Sequence, residues 1–207
     1  MLTLYSQQLS GNAYKPRLLM ALLGIPFRIV DVNTYDGSTR RPDFLEKNPI
    51  GKVPLLEFED GRRLAESNAM LLHLAEDTKY LPSDPFARAK AYEWLFFEQY
   101  THEPAIAVRR SILTAPERAS QRTPGRLAAL LDAGDHALSV MEQRLADSSW
   151  LAGEAYSVAD IALYAYTHMA EEGGFDLPRY PGIESWLSRV ASQPGHIPIE
   201  WRPDAKA

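Results

Sequence analysis

Two short stretches of this chain carry residue types whose order suits recognition of a small peptide: Lys52-Val53-Pro54-Leu55-Leu56 and, one hairpin further on, Glu66-Ser67-Asn68-Ala69. Pro54 falls within what otherwise reads as a strand. A proline cannot donate to a ladder, so it belongs at a strand start, an edge or a bulge, and a cis Val53-Pro54 bond fits such a turn. The backbone N–H and C=O of Val53 are then left to pair with an extended ligand as an added strand would. Ser67 reads as the N-cap of the apolar helix that runs from Ala69 to Ala75, and a helix N-terminus attracts a carboxylate through its unpaired N–H groups and macrodipole. Glu66 supplies negative charge for an ammonium. Together the two stretches suit a ligand with an amino acid head and an extended peptide body.

What the chain lacks bounds its chemistry. It has no cysteine, so it can form no disulfide, no thiolate zinc site and no thiol nucleophile of its own. Any sulfur chemistry must use a thiol that the ligand brings. His73, His136, His168 and His196 have no metal-ligand spacing with one another, and no metal is expected. A net charge of -5 over 207 residues gives no electrostatic footprint for nucleic acid. No run approaches eighteen apolar residues, and Met1-Leu2-Thr3-Leu4-Tyr5 lacks a basic region before an apolar core, so neither a membrane span nor a signal peptide is expected. The cytosol is the expected location. With 45% hydrophobic and 24% charged residues the composition is that of an ordinary globular protein.

The elements that must position these residues follow from periodicity. Leu2 to Tyr5 and Phe27 to Val32 read as strands around a helix from Tyr14 to Leu23, which Gly24 ends as a C-cap would. Pro16 sits early in that helix, where it needs a first-turn place or leaves a carbonyl unpaired. A short helix around Asp43 to Lys47 follows, then a hairpin of Pro54 to Phe58 and Arg62 to Ala65 turned by Asp60-Gly61. The order is βαβ, then ββα. Residues 1–78 form this first domain, residues 79–86, with two prolines and no apolar period, read as a linker, and residues 87–207 as an all-helical domain. In the latter, Arg88 to Thr114 is a long helical pattern broken at Pro104, Arg126 to Leu145 is amphipathic, and Val158 to Ala170 is apolar nearly all round, as a buried central helix would be. Ser157 with Asp160 reads as a capping box, a folding device. The stretch from Pro194 reads as a tail pinned by Trp201.

The quoted segments, in order, resemble the glutathione transferase family over essentially the whole chain. They are Leu4-Tyr5-Ser6, Ser10-Gly11-Asn12 opening a helix that ends at Leu23-Gly24-Ile25-Pro26, Asn48-Pro49, Lys52-Val53-Pro54, Glu66-Ser67 and Ser157-Val158-Ala159-Asp160. The resemblance implies a thioredoxin-like N-terminal domain followed by a helical bundle, glutathione as co-substrate, and a homodimer. It matches the serine-type members and, with no cysteine, not the branch that forms a mixed disulfide with its own thiol. Ser10 then aligns with the serine that donates a hydrogen bond to the glutathione thiolate, although local sequence alone makes Ser10 or Asn12 a helix cap. Asn12 is the second choice for the thiol contact. Tyr5 and Ser6 lie near the place where tyrosine-type members carry a phenol. Val53, Pro54, Glu66 and Ser67 would hold the peptide, with Lys52, assisted by Arg40 or Arg41, on the glycyl carboxylate. An electrophile pocket would draw on the long helix, with Tyr100, His102, Ile106 and Arg109 as candidates and Glu103 as an alternative. Tyr100 and His102 are two apart and cannot both face one way on a regular helix. The implied reaction joins the thiolate to small hydrophobic electrophiles; a glutathione-dependent disulfide reductase and a catalytically silent glutathione-binding or scaffold protein remain as alternatives.

Overall fold

A computed structural model describes residues 1–203 of the chain. They divide into two units: Met1–Glu76 together with residues 194–203, and Asp77–Gln193. The second unit thus takes in the stretch expected as a linker, and the last segment goes with the first unit rather than with the helices before it.

In the first unit, β1 (Leu2–Ser6) runs parallel to β2 (Phe27–Asp31) and antiparallel to β3 (Leu55–Glu57), which pairs antiparallel with β4 (Arg63–Ala65), giving the order β2-β1-β3-β4. Parallel neighbours need a crossover, and α1 (Gly11–Leu22) supplies it. Its end is a Schellman motif: Gly24 sits at φ +65 while Gly24 N–H bonds Ala21 O and Ile25 N–H bonds Met20 O. Pro16 lies inside α1, beyond the first turn. The short α2 (Pro42–Leu45) and α3 (Ser67–Ala75) complete the unit. Leu4, Met20, Phe27, Leu56 and Met70 form its core, with Trp201 packed against them. The hairpin turns where expected, Gly61 taking φ +81 and Asp60 Oδ1 accepting from Arg62 N–H at 3.0 Å.

The second unit is helical: α4 (Pro85–Phe97), α5 (Glu103–Thr114), α6 (Pro124–Ala146), α7 (Val158–Thr167) and α8 (Pro181–Ala191). Between α4 and α5 the chain makes a π-helical turn, Glu98–His102. Pro104 has no N–H to give to the preceding turn, and a local widening of the helix is one way to absorb that loss. Every residue of α7 is buried. The Ser157–Asp160 capping box is formed, and the buried Asp160 carboxylate accepts from Ser157 N–H (3.0 Å), Ser157 Oγ (3.1 Å), Leu151 N–H (3.0 Å) and Trp186 Nε1 (2.9 Å). Burial pushes this carboxyl up from its ordinary value, and those four hydrogen bonds pull the other way.

Candidate functional site

Three local devices in the first unit place the residues singled out from sequence. The first is the turn before β3. Asn48 Nδ2 donates to Lys52 O at 2.8 Å and its Oδ1 accepts from Ile50 N–H at 3.2 Å. Gly51 has φ +64, and a Cβ there would stand 2.6 Å from Arg40 Nη1 and 2.8 Å from Thr39 O, so the turn requires glycine. Arg40 is exposed and braces the turn through Ile50 O at 3.0 Å. The product is a cis Val53-Pro54 bond with Lys52 exposed, Val53 half-buried and the Val53 backbone outside both flanking ladders.

The second device is the start of α3, which differs from the expected one. Ser67 is the first helical residue rather than the cap; Glu66 is the cap, makes no side-chain cap bond, and holds φ 66, ψ 115. A non-glycine residue in that region carries strain of about 1–3 kcal/mol, which surroundings must impose. Glu66 is exposed while Ser67 is buried. Ser67 Oγ donates to Asn12 Oδ1 at 3.2 Å and accepts from Lys15 Nζ at 3.3 Å, and Lys15 also reaches Asn68 Oδ1 at 3.2 Å. Lys15 is fully buried and did not feature in the sequence reading. Its signal is a lone lysine in a helix whose neighbours Tyr14, Pro16 and Leu18 are all buried. A buried cation under Ser67 adds to the attraction of the α3 N-terminus for an anion.

The third device is the start of α1. Ser10 is the N-cap, with Oγ accepting from Ala13 N–H at 3.3 Å. A hydroxyl that accepts there keeps its own proton to donate. Asn12 stands in the first turn, its side-chain oxygen engaged by Ser67. Ser6 is buried, and Tyr5 packs edge-on against Phe44 at 6.2 Å, as a sheet residue.

The four residues expected to line a second pocket do not share an exposed face of the second unit. His102 is fully buried with Nε2 2.9 Å from Thr167 Oγ1, and Ile106 is fully buried; both belong to the interior. Tyr100 is 88% exposed. Arg109 donates to Leu127 O at 3.1 Å and lies over the Phe175 ring. Tyr100 and His102 face opposite ways, as their spacing of two requires, and Ile106, four beyond His102, shares its inward face; the π-helical turn Glu98–His102 runs through the first two. Among the described residues no group of three or more His, Asp or Glu is placed to hold a metal, and no helix is long and apolar enough to cross a membrane.

A mixed four-stranded sheet with its helices, followed by an all-helical unit, defines a thioredoxin-like domain joined to a helical one. Residues 9–77 match the family model of the glutathione S-transferase N-terminal domain, and residues 113–194 that of the C-terminal domain. The chain is 30% identical over 190 residues to the disulfide-bond oxidoreductase YfcG of Escherichia coli (strain K12), covering 88% of this chain and 87% of that protein. A glutathione S-transferase structure from Pseudomonas fluorescens Pf-5 shares 49% identity and a TM-score of 0.93, over 96% of this chain and 98% of that one. A glutathione transferase from Burkholderia graminis, solved with two glutathione molecules bound per subunit, is 25% identical with a TM-score of 0.81, over 94% and 85% of the two chains. The chain belongs to the glutathione S-transferase family.

Proposed function

We propose that this protein binds glutathione in its first unit and uses Ser10 to hold the sulfur as thiolate for attack on a small hydrophobic electrophile. The observation that carries the reading is the α1 cap: Ser10 Oγ accepts from Ala13 N–H and has a proton left for a sulfur anion at the helix N-terminus. Lowering a thiol by one unit requires about 1.4 kcal/mol of preferential thiolate stabilisation, no more than one hydrogen bond to a charged group supplies, at about 1.5–3 kcal/mol. The sulfur lone pair then forms the new bond to carbon, the leaving group departs with the old bonding pair, and the thiol proton goes to solvent. Val53 would pair with the peptide backbone, Glu66 with the ammonium, and the Ser67 backbone N–H at the α3 N-terminus, over Lys15, with the adjoining carboxylate. Lys52, with Arg40 in reserve, would meet the glycyl carboxylate. Asn12 is the alternative sulfur contact. No function is assigned to His102 or Ile106 beyond packing.

A second reading, a glutathione-dependent disulfide reductase, is favoured by the E. coli relative's name and by the paired glutathione molecules of the B. graminis structure. There one glutathione thiolate attacks a disulfide sulfur and expels a thiolate; a second attacks the resulting mixed disulfide, leaving oxidised glutathione and two thiols. A chain without cysteine needs the second glutathione for this. Either reading goes with a cytosolic location, where reduced glutathione is abundant, and with a homodimer, for which the exposed Phe96 and Tyr100, one turn apart, offer an apolar contact.

The test is an ultraviolet titration of thiolate formation on bound glutathione across pH, in the parent and in Ser10→Ala. The expected result is a bound thiol that ionises well below the free one, with Ser10→Ala raising the midpoint by about one unit. Binding with an ionisation indifferent to Ser10 would move Asn12 or the reductase reading ahead. No binding at all would leave a scaffold.

A further inference from the structure

The segment from Pro194 to Pro203 lies against the loop that delivers Ser10. Arg17, fully buried, donates through Nη2 to two carbonyls at once, Gln8 O at 2.9 Å and Ile199 O at 2.7 Å. Its Nε and Nη1 have no hydrogen-bond partner among the described residues. From the other side, Gln8 Nε2 donates to Ile199 O at 2.8 Å and Trp201 O at 3.3 Å. Tyr14 Oη donates to Ile197 O at 2.5 Å, Trp201 packs on Phe27 at 6.2 Å, and Arg202 makes a two-pronged pair with Asp31 at 2.6 and 2.9 Å. The loop itself is pinned next door: Ser10 N–H bonds Gln7 O at 3.1 Å, and Gln7 Oε1 accepts from the Thr34 backbone and hydroxyl.

A charge buried with so few partners is unfavourable. The cost shows in the guanidinium, which burial pulls down to about 10, although it stays charged at neutral pH. An aliphatic side chain would fill the same space without that cost. What it would not do is hold the Gln8 carbonyl and the tail in one hand, two residues before the cap.

We propose that Arg17, Gln8 and the returning tail form a positioning device for Ser10. Arg17 fixes the Gln8 carbonyl and Ile199 fixes the Gln8 side chain, so the turn Gln7–Ser10 has one conformation and the cap hydroxyl one direction. This rests on the reading of Ser10 as the sulfur contact. None of the three touches glutathione in that reading, so they act through Ser10 alone.

Gln8→Met removes both donors to the tail at nearly constant length. Displacing a reacting group by about 1 Å can cost about 10²-fold. Loosening the turn should therefore lower kcat about tenfold and raise the thiolate midpoint toward that of free glutathione, with Kd for glutathione within about twofold of the parent. A merely structural role would leave the midpoint of the folded protein where it was. Should Gln8→Met not fold, Arg17→Lys, which keeps the charge but loses the planar fork, serves in its place and should shift the midpoint in the same direction. In the Ser10→Ala background the same substitution should add nothing, because residues acting through one group are not additive. If Ser10→Ala shifts the midpoint and the folded Gln8→Met or Arg17→Lys protein does not, positioning is refuted while the sulfur contact stands. If Ser10→Ala itself changes nothing, both fall together.

Discussion

Two helices of this molecule begin with a serine beside an acidic residue, and they are built in opposite ways. At α7, Ser157 caps the helix, Asp160 answers it, and the buried carboxylate also takes Leu151 N–H and Trp186 Nε1, so the α7 start is closed by its own side chains and tied to α8. At α3, the acidic residue comes first. Glu66 takes a strained backbone, caps nothing with its side chain and stands exposed, while Ser67 turns inward to Asn12 and Lys15. A start whose polar groups are all met internally has nothing left for a ligand. One held at the expense of strain, with its acidic side chain outside, fits the ligand-binding role proposed for it, and strain of this kind survives only where the surroundings impose it.

The largest expected effect comes from breaking the closed start. Asp160→Ala would leave the buried donors of Leu151, Ser157 and Trp186 without their acceptor. At about 1–3 kcal/mol for each unsatisfied group, a loss of at least about 3 kcal/mol is expected in urea unfolding. Glutathione affinity, measured by calorimetry on whatever folds, should be unchanged. A substantial affinity loss in well-folded Asp160→Ala would erase the contrast between the two starts.

Next in size is a matched pair. Ser67→Ala should weaken glutathione binding about tenfold, the equivalent of about 1.4 kcal/mol, by unseating the α3 N-terminus from Asn12 and Lys15, at a cost of about 1 kcal/mol in urea unfolding because Lys15 Nζ keeps Asn68 Oδ1. Ser157→Ala should also lose about 1 kcal/mol of stability, as a deleted cap does, but leave affinity alone. If both serines altered stability and neither altered binding, the α3 start would be a second folding device.

How much of this contrast was readable depends on the range of the contacts. The capping box, the Gly24 stop, the Asp60-Gly61 turn and the cis Val53-Pro54 bond are all specified within a few residues, and sequence patterns located each of them. The family match and the sheet followed from the same local signals in order. What escaped is carried by contacts across the chain. Lys15 meets Ser67 and Asn68 across 52 and 53 positions, and Arg17 meets Ile199 across 182, so neither partnership leaves a periodicity to read. Ser67 looked like a cap because serine favours that position; the positive φ of Glu66, which moves the cap one residue back, is a backbone choice that propensity does not encode. The pocket candidates on the long helix meet a different limit. Spacing says that Tyr100 and His102 point apart but not which of them points inward; packing decides that, burying His102 against Thr167 and leaving Tyr100 out.

The smallest effect is the sharpest on principle, because its two readouts have opposite signs. At φ 66, ψ 115, glycine has no Cβ to clash, so Glu66→Gly relieves the strain at the α3 start, offset in part by the extra freedom glycine has in the unfolded chain. A net gain of about 0.5–1 kcal/mol in stability is expected. The same change removes the carboxylate proposed to meet the ligand's ammonium and relaxes the geometry that places Ser67, so affinity for glutathione should fall several-fold. Differential scanning calorimetry of the free protein and titration with glutathione read the two separately. A protein that became both more stable and a better binder would show that the strain serves no ligand; one that lost stability would show that the Glu66 side chain supports the fold after all. Opposite movements would mean that the backbone at Glu66 is held in an unfavourable state because binding requires it, which α7, with every polar group of its start already met, has no reason to do.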